Sequence, residues 1–210
     1  MIVHGYSDKK GSWRLARLIN EIKEEFSDEA VITPDYLERY GPRVLVGIIF
    51  GRKALEEYAK KVLKEAEQAE QLYGPITIII GYSMGGLIAR YVAKRLAHVE
   101  KLILVATPNL GLRIGRLKRL FLRRIKCLTD SLPDSDFLKK LNEELPLKYK
   151  CYIVAGSKDE FAPLESSLAV PDVPDEQKAI LPLGHSELIP PPTSKEQGAI
   201  EEIVQLCSNS

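Results

Sequence analysis

Ile76-Thr77-Ile78-Ile79-Ile80-Gly81-Tyr82-Ser83-Met84-Gly85-Gly86-Leu87-Ile88 is the stretch on which the architecture turns. Its first five residues are all β-branched, which suits a pleated strand. They show no polar alternation, so both faces of that strand are covered, as in a parallel sheet with helices above and below. Past the glycines the spacing changes: Leu87, Ile88, Tyr91 and Val92 recur at helical period. The chain therefore turns from strand to helix within a few residues around Ser83. Small neighbours are what so tight a turn needs.

Strand and helix patterns alternate outward from this point. Upstream, the spacing predicts a long helix from Arg52 to Tyr73. Its apolar stripe is Leu55, Tyr58, Ala59, Val62, Leu63, Ala66, Ala69 and Leu72, with Glu56–Lys60 and Glu57–Lys61 pairs on the other face. Gly74-Pro75 ends it. Ala30–Thr33 reads as a strand stopped by Pro34. Ser12 can cap a helix carrying Leu15, Leu18, Ile19, Ile22 and Phe26, and Ile2–His4 reads as a short first strand. Downstream, Val99–Val105, Cys151–Ala155 and Lys178–Leu181 are strand candidates. Ser194 and Gln197 suggest a capping box for a closing helix through Leu206. Six strands separated by helices predict the α/β class, with a doubly wound, mostly parallel six-stranded sheet flanked by helices. A chain of 210 residues fits one domain spanning 1–210.

Composition narrows the function classes. Hydrophobic residues make up 45%, enough for a core. Lys+Arg is 30 against 29 Asp+Glu, so no global field favours nucleic acid, and none is expected as a partner. Met1 to Gly5 lacks the basic start and apolar run of a signal peptide. No apolar run approaches the roughly 18 residues of a transmembrane segment. Cys127, Cys151 and Cys207 are odd in number and widely spaced, which argues against a disulfide framework or a zinc site. A reducing, cytoplasmic compartment is the expectation.

The same turn carries chemistry. Gly81-Tyr82-Ser83-Met84-Gly85 has the form strand, G-x-S-x-G, helix, a nucleophile elbow that pushes a serine hydroxyl out of the sheet. The plain alternative is a glycine-rich turn in which Ser83 merely caps the helix. A serine needs a base to take its proton. Of the three histidines, His98 precedes a strand and so sits at the edge opposite Ser83. His4 ends the first strand. His185 follows the last strand in Leu183-Gly184-His185-Ser186, at the carboxyl edge where the sites of open α/β sheets lie. A carboxylate must orient that base. Asp159 and Glu160 both leave a strand at the same edge and both qualify by position. Oxyanion donors are expected from the backbone N–H of Met84 and, after the first strand, of Tyr6.

With these motifs in place, the chain resembles the lipases and serine esterases of the α/β-hydrolase superfamily. The resemblance rests on His4-Gly5-Tyr6, Gly81-Tyr82-Ser83-Met84-Gly85-Gly86, Gly156-Ser157-Lys158-Asp159-Glu160-Phe161-Ala162-Pro163 and Gly184-His185-Ser186. The third is similar to the family's G-x-x-D-x-x-V-P segment, a register that selects Asp159. Thr107-Pro108-Asn109-Leu110-Gly111 resembles the T-P-H-x-G of small bacterial lipases and inositol-deacylase-like proteins. Asp136-Phe137-Leu138 through Leu141-Asn142 resembles their S-x-F-L-x-x-L-N. Tyr82 stands where histidine is frequent, as does Asn109. The family's first two strands find no counterpart, so the resemblance implies a minimal version of the fold. It implies a Ser83–His185–Asp159 triad cleaving carboxylic esters through an acyl-enzyme, with no metal or organic cofactor. An acyltransferase or thioesterase would use the same triad. A non-catalytic lipid- or acyl-binding protein would be expected to have lost part of it.

The resemblance also implies a helical cap, placed at 109–145. No acidic residue falls between Asn109 and Thr129, whereas Arg113, Arg116, Lys118, Arg119, Arg123, Arg124 and Lys126 are all basic. Leu110, Ile114, Leu117, Phe121, Ile125 and Leu128 recur at helical spacing. A basic amphipathic helix over 110–128 either packs its stripe on the core or rests on an anionic lipid surface as a peripheral membrane contact. Leu110, Leu117 and Phe121, with Val46, Ile49 and Phe50 from the apolar run Val44–Phe50, are candidate substrate-binding residues for a small-molecule or lipid ester.

Overall fold

Among the described residues, five parallel strands form the sheet, neighbours in space in the same order as along the chain. They are β1 (Ile2–Val3), β2 (Ile78–Tyr82), β3 (Lys101–Val105), β4 (Lys150–Gly156) and β5 (Lys178–Leu181). The computed structural model describes residues 1–5, 13–26, 31–34, 54–113, 126–133, 135–143 and 147–208. The helices are α1 (Trp13–Glu25), α2 (Leu55–Tyr73), α3 (Met84–Ala93), α4 (Lys126–Asp130), α5 (Asp136–Glu143), α6 (Leu164–Ser167), α7 (His185–Leu188) and α8 (Ile200–Ser208). Register runs without a slip from Ile2 opposite Ile80 to Gly156 opposite Leu181.

Alternating strand residues explain the two layers. Ile79, Leu102, Leu104, Ile153 and Ala155 pack with α2 and α3, joined by Cys127 of α4 and by Leu138 and Leu141 of α5. Their neighbours Ile80, Ile103, Val105 and Val154 point the other way, onto Leu15, Leu18 and Ile22 of α1 and Ile200 and Ile203 of α8. Both faces are therefore dry, which is why the strands lack polar alternation. Fully burying one such Leu or Ile contributes about 1.5–3 kcal/mol.

Several expectations are corrected. The sheet has five strands among the described residues, not six. Of the expected strand Ala30–Thr33, residues 31–33 carry no strand, and Ala30 lies outside the described residues. Ile32 O accepts Ile2 N–H at 2.8 Å, but the contact does not extend to a ladder, and Pro34, two residues on, has no N–H to continue it. Leu72 is 74% exposed, because the last turn of α2 runs past the end of the core. The Glu56–Lys60 pair forms at 2.8 Å, whereas Lys61 faces Glu65 at 3.9 Å. Glu57 instead accepts Ala54 N–H in the first turn. The capping box at Ser194 and Gln197 does not form. Ser194 Oγ accepts Glu196 N–H at 3.1 Å, and the helix begins at Ile200, whose N–H reaches Gln197 O at 3.3 Å. The basic helix does not start at Leu110. Leu112 N–H donates to Ser131 O at 2.7 Å and Arg113 N–H to Phe161 O at 3.0 Å, so tertiary acceptors take the donors a helix would use. Residues 114–125 lie outside the described set, as does the run Val44–Phe50.

All three cysteines are buried and free. Burial pushes the Cys127 and Cys151 thiols up to about 12 and the Cys207 thiol to about 11. At neutral pH almost no thiolate is present in the folded state. An aromatic disulfide reagent is therefore expected to leave all three untouched in the native protein and to modify all three in denaturant. Rapid native-state reaction of any one would show that its element opens.

Candidate active site

The site is built first from a turn that only small residues permit. A Cβ on Gly81 would lie 2.5 Å from Gly86 Cα. One on Gly85 would lie 2.1 Å from His4 O, and one on Gly86 would lie 1.8 Å from Thr107 Oγ1. These distances are shorter than any carbon contact, so the start of α3 rests directly on the ends of β1 and β3. Between them Ser83 takes φ 55 and ψ −130, a left-handed region that a residue with a side chain occupies only when its surroundings enforce it. Ser83 N–H donates to Val105 O at 2.8 Å, and Ser83 O accepts Gly86 N–H at 2.9 Å. The hydroxyl is thereby turned outward at the start of α3.

Two loops from the same edge meet that hydroxyl. His185, the first residue of α7, places Nε2 2.9 Å from Ser83 Oγ. Its Nδ1 lies 2.7 Å from Asp159 Oδ2. A carboxylate can only accept, so Nδ1–H donates to Asp159 and Nε2 is left to accept the Ser83 O–H. Asp159 follows β4 by three residues, and its side chain is 0% exposed. Oδ1 accepts Phe161 N–H and Ala162 N–H, both at 2.8 Å. Three donors thus satisfy a buried carboxylate and fix its plane. Glu160 is exposed. Position alone could not separate the two acids; the fold turns Asp159 inward.

The remaining candidates divide. Met84 opens α3 beside Ser83. His98 is exposed at the opposite edge, near Glu67, Glu70 and Pro75. His4 is buried, with Nδ1–H donating to Gly5 O at 2.9 Å. Leu110 is 49% exposed on the loop after β3. Tyr6, Val46, Ile49, Phe50, Leu117 and Phe121 lie outside the described residues. A cleft of about 220 Å³ lined by Ile22, Phe26, Ile32, Tyr73 and Cys207 opens at the amino edge of the sheet, away from Ser83.

A buried polar network behind the site was not foreseen. Arg90 of α3, 1% exposed, donates from Nη1 to Asn109 Oδ1 at 3.1 Å and from Nη2 to Leu141 O at 3.3 Å. Asn109 Nδ2 donates to Ser167 O at 2.7 Å, and Ser167 Oγ donates to Ala162 O at 3.0 Å. Ala162 N–H holds Asp159, so the chain of bonds runs from the helix behind Ser83 to the acid loop. Asn142 Nδ2 adds a bond to Asn109 O at 3.2 Å. The Thr107–Gly111 and Asp136–Asn142 motifs are the sequence signals of this network, and in space they are one structure. Removing a partner from a buried polar group costs about 1–3 kcal/mol. Asn109→Ala is therefore expected to lower the unfolding free energy by about that amount in urea titrations. An unchanged midpoint would show that the network contributes nothing to stability.

Comparisons with known proteins bear on the family and the fold. A sequence profile described as the alpha/beta hydrolase family matches residues 1–175, which include Ser83 and Asp159. Among curated proteins none matches the chain in sequence. A lipase-esterase related protein from Clostridium acetobutylicum is similar in structure, with TM-score 0.61, 18% identity, and 97% of this chain and 92% of that chain covered. A monoacylglycerol lipase of Paleococcus ferrophilus gives TM-score 0.62 and 16% identity over 98% and 90% of the two chains. The esterase domain of a Rhodothermus marinus protein gives 0.58 and 15% over 99% and 83%. At such identities the structures show a shared fold. With the profile spanning most of the chain and the same fold recovered in three dimensions, this protein belongs to the alpha/beta hydrolase family.

Proposed function

We propose that this protein is a serine hydrolase that cleaves carboxylic esters through an acyl-enzyme. The observation that carries the reading is the unbroken line from Ser83 Oγ to His185 Nε2 at 2.9 Å and from His185 Nδ1 to Asp159 Oδ2 at 2.7 Å. Ser83 Oγ attacks the ester carbonyl carbon as its proton passes to His185 Nε2. The tetrahedral oxyanion collapses, the carbon–alkoxy bond breaks, and the leaving alkoxide takes the proton from His185. Water then attacks the acyl-serine while His185 accepts its proton. Collapse releases the acid and returns the proton to Ser83 Oγ. Asp159 holds the imidazole in the required tautomer and stabilises the imidazolium formed in each half.

The oxyanion is assigned to Met84 N–H and to Tyr6 N–H, of which Tyr6 lies outside the described residues. The tight packing of Gly85 on His4 O, which draws the start of α3 onto the end of β1, supports this pairing. Each such donor contributes roughly 2.7–4 kcal/mol to the barrier reduction. Of the cap expected at 109–145, Leu110 is exposed on the loop after β3, whereas Asn109 is buried, Cys127, Leu138 and Leu141 are packed in the core layer, and residues 114–125 lie outside the described residues. Small-molecule or lipid esters are the proposed substrate class.

A fluorophosphonate probe is expected to label the wild type and not Ser83→Ala. Labelling that persists in Ser83→Ala would refute the assignment of the nucleophile. Asp159→Asn, which spoils the tautomer while keeping the shape, is expected to cut kcat on p-nitrophenyl esters by about 10⁴-fold. Wild-type turnover in that variant would remove Asp159 from the mechanism.

A further inference from the structure

His185 reaches Ser83 from an insecure position. It hangs beyond β5, the edge strand, and none of the residues 182–187 is buried; the chain regains the core only at Leu188. The ring is held by Ser83 and Asp159. Among the described residues, a single side chain bonds the His185 main chain. The Tyr82 hydroxyl donates to His185 O at 3.0 Å. Tyr82 ends β2, is 4% exposed, and immediately precedes Ser83. Its ring also lies beside the imidazole, with centroids 5.4 Å apart and planes inclined at 32°. Phe161, whose N–H binds Asp159, places its own ring 5.4 Å from the imidazole at 60°.

From this geometry we infer that Tyr82 is a positioning residue for His185. It locks the histidine loop to the same strand end that presents Ser83. The inference rests on the proposed Ser83–His185 chemistry. Adjacent residues at the end of β2 thus grip His185 at two places: Ser83, just past the strand, at the ring and Tyr82, its last residue, at the main-chain carbonyl. The distance between Oγ and Nε2 is then set within one rigid element and not across a loop. This matters because the histidine must serve two oxygens in turn, that of the serine and that of the leaving group. Displacement on the order of 0.5 Å is already enough to degrade such a constellation. The buried ring gives the imidazole an aromatic neighbour while it carries charge. The hydroxyl is needed for the grip, because Phe at this position keeps the packing and loses the bond.

Tyr82→Phe tests the inference, since it keeps the ring and changes the volume little. With p-nitrophenyl butyrate, kcat is expected to fall about 2–13-fold, the range that corresponds to one lost hydrogen bond. KM and the thermal midpoint should stay near wild type. Tyr82→Leu, which also removes the ring, should fall further. Independently of turnover, the proton on His185 Nδ1 should give a downfield one-dimensional NMR signal that broadens through solvent exchange in Tyr82→Phe. Wild-type kcat together with an equally sharp signal in Tyr82→Phe would overturn the inference. Loss of kcat with an unbroadened signal would also overturn it, because the loop would then be in place without the hydroxyl. Should the wild type itself neither turn over nor take the fluorophosphonate, the hydrolase reading fails, and the NMR comparison still decides whether Tyr82 holds His185.

Discussion

How tightly α3 is pressed onto the ends of β1 and β3 governs the whole carboxyl edge of this sheet. No side chain fits at Gly85 or Gly86, where a Cβ would meet His4 O at 2.1 Å and Thr107 Oγ1 at 1.8 Å. With that space closed, Ser83 cannot adopt an ordinary conformation and is held at φ 55. A strained residue of this kind costs about 1–3 kcal/mol. The cost is offset locally. Every residue of α3 except Tyr91 is buried, and Leu87 and Ile88 alone contribute about 1.5–3 kcal/mol each. The strain therefore persists because the helix that causes it is also among the best-packed elements of the fold.

The proposed acid and base are secured in different ways. Asp159 is over-determined: two backbone donors take one oxygen and the imidazole takes the other. The loop carrying it is tied through Ala162, Ser167 and Asn109 to Arg90 in α3. Moving the acid thus means disturbing the helix behind the serine. His185 has less behind it, a short helix on an exposed loop with one side-chain anchor on its main chain. Such a difference suits their proposed tasks. A carboxylate that only orients a ring profits from complete immobility, whereas a ring that hands a proton from one oxygen to another needs a little freedom about a fixed mean.

Much of the fold was readable because two-sided burial leaves a plain mark on a strand and one-sided burial leaves a plain mark on a helix. The strand candidates Ile76–Ile80 and Val99–Val105 became β2 and β3 with shifted ends, and the stripe from Leu55 to Ala69 became the buried face of α2. The failures share a cause. Residues 31–33, the Ser194–Gln197 box and the stretch after Leu110 all look locally competent for regular structure. In each, backbone groups are taken by partners remote in sequence or by a different local turn. Local pattern is blind to that competition. Nor did it reveal that Arg90 and Asn142, from two separate helices, meet at Asn109.

What the residue order determined by itself was the alternation of elements, the elbow at Ser83, and the edge to which Ser83, Asp159 and His185 must come. Those follow from short-range sterics and from the rule that parallel strands all end on one side. Edge position left Asp159 and Glu160 open and only the family resemblance favoured Asp159; the inward turn of Asp159 onto the imidazole and the bond from the Tyr82 hydroxyl to the His185 main chain belong to the tertiary structure. Ser83 and His185 are 102 positions apart, and His185 and Asp159 are 26 apart. Their separation in space depends on loop paths and on the packing of α3, and neither is written in any short stretch of chain.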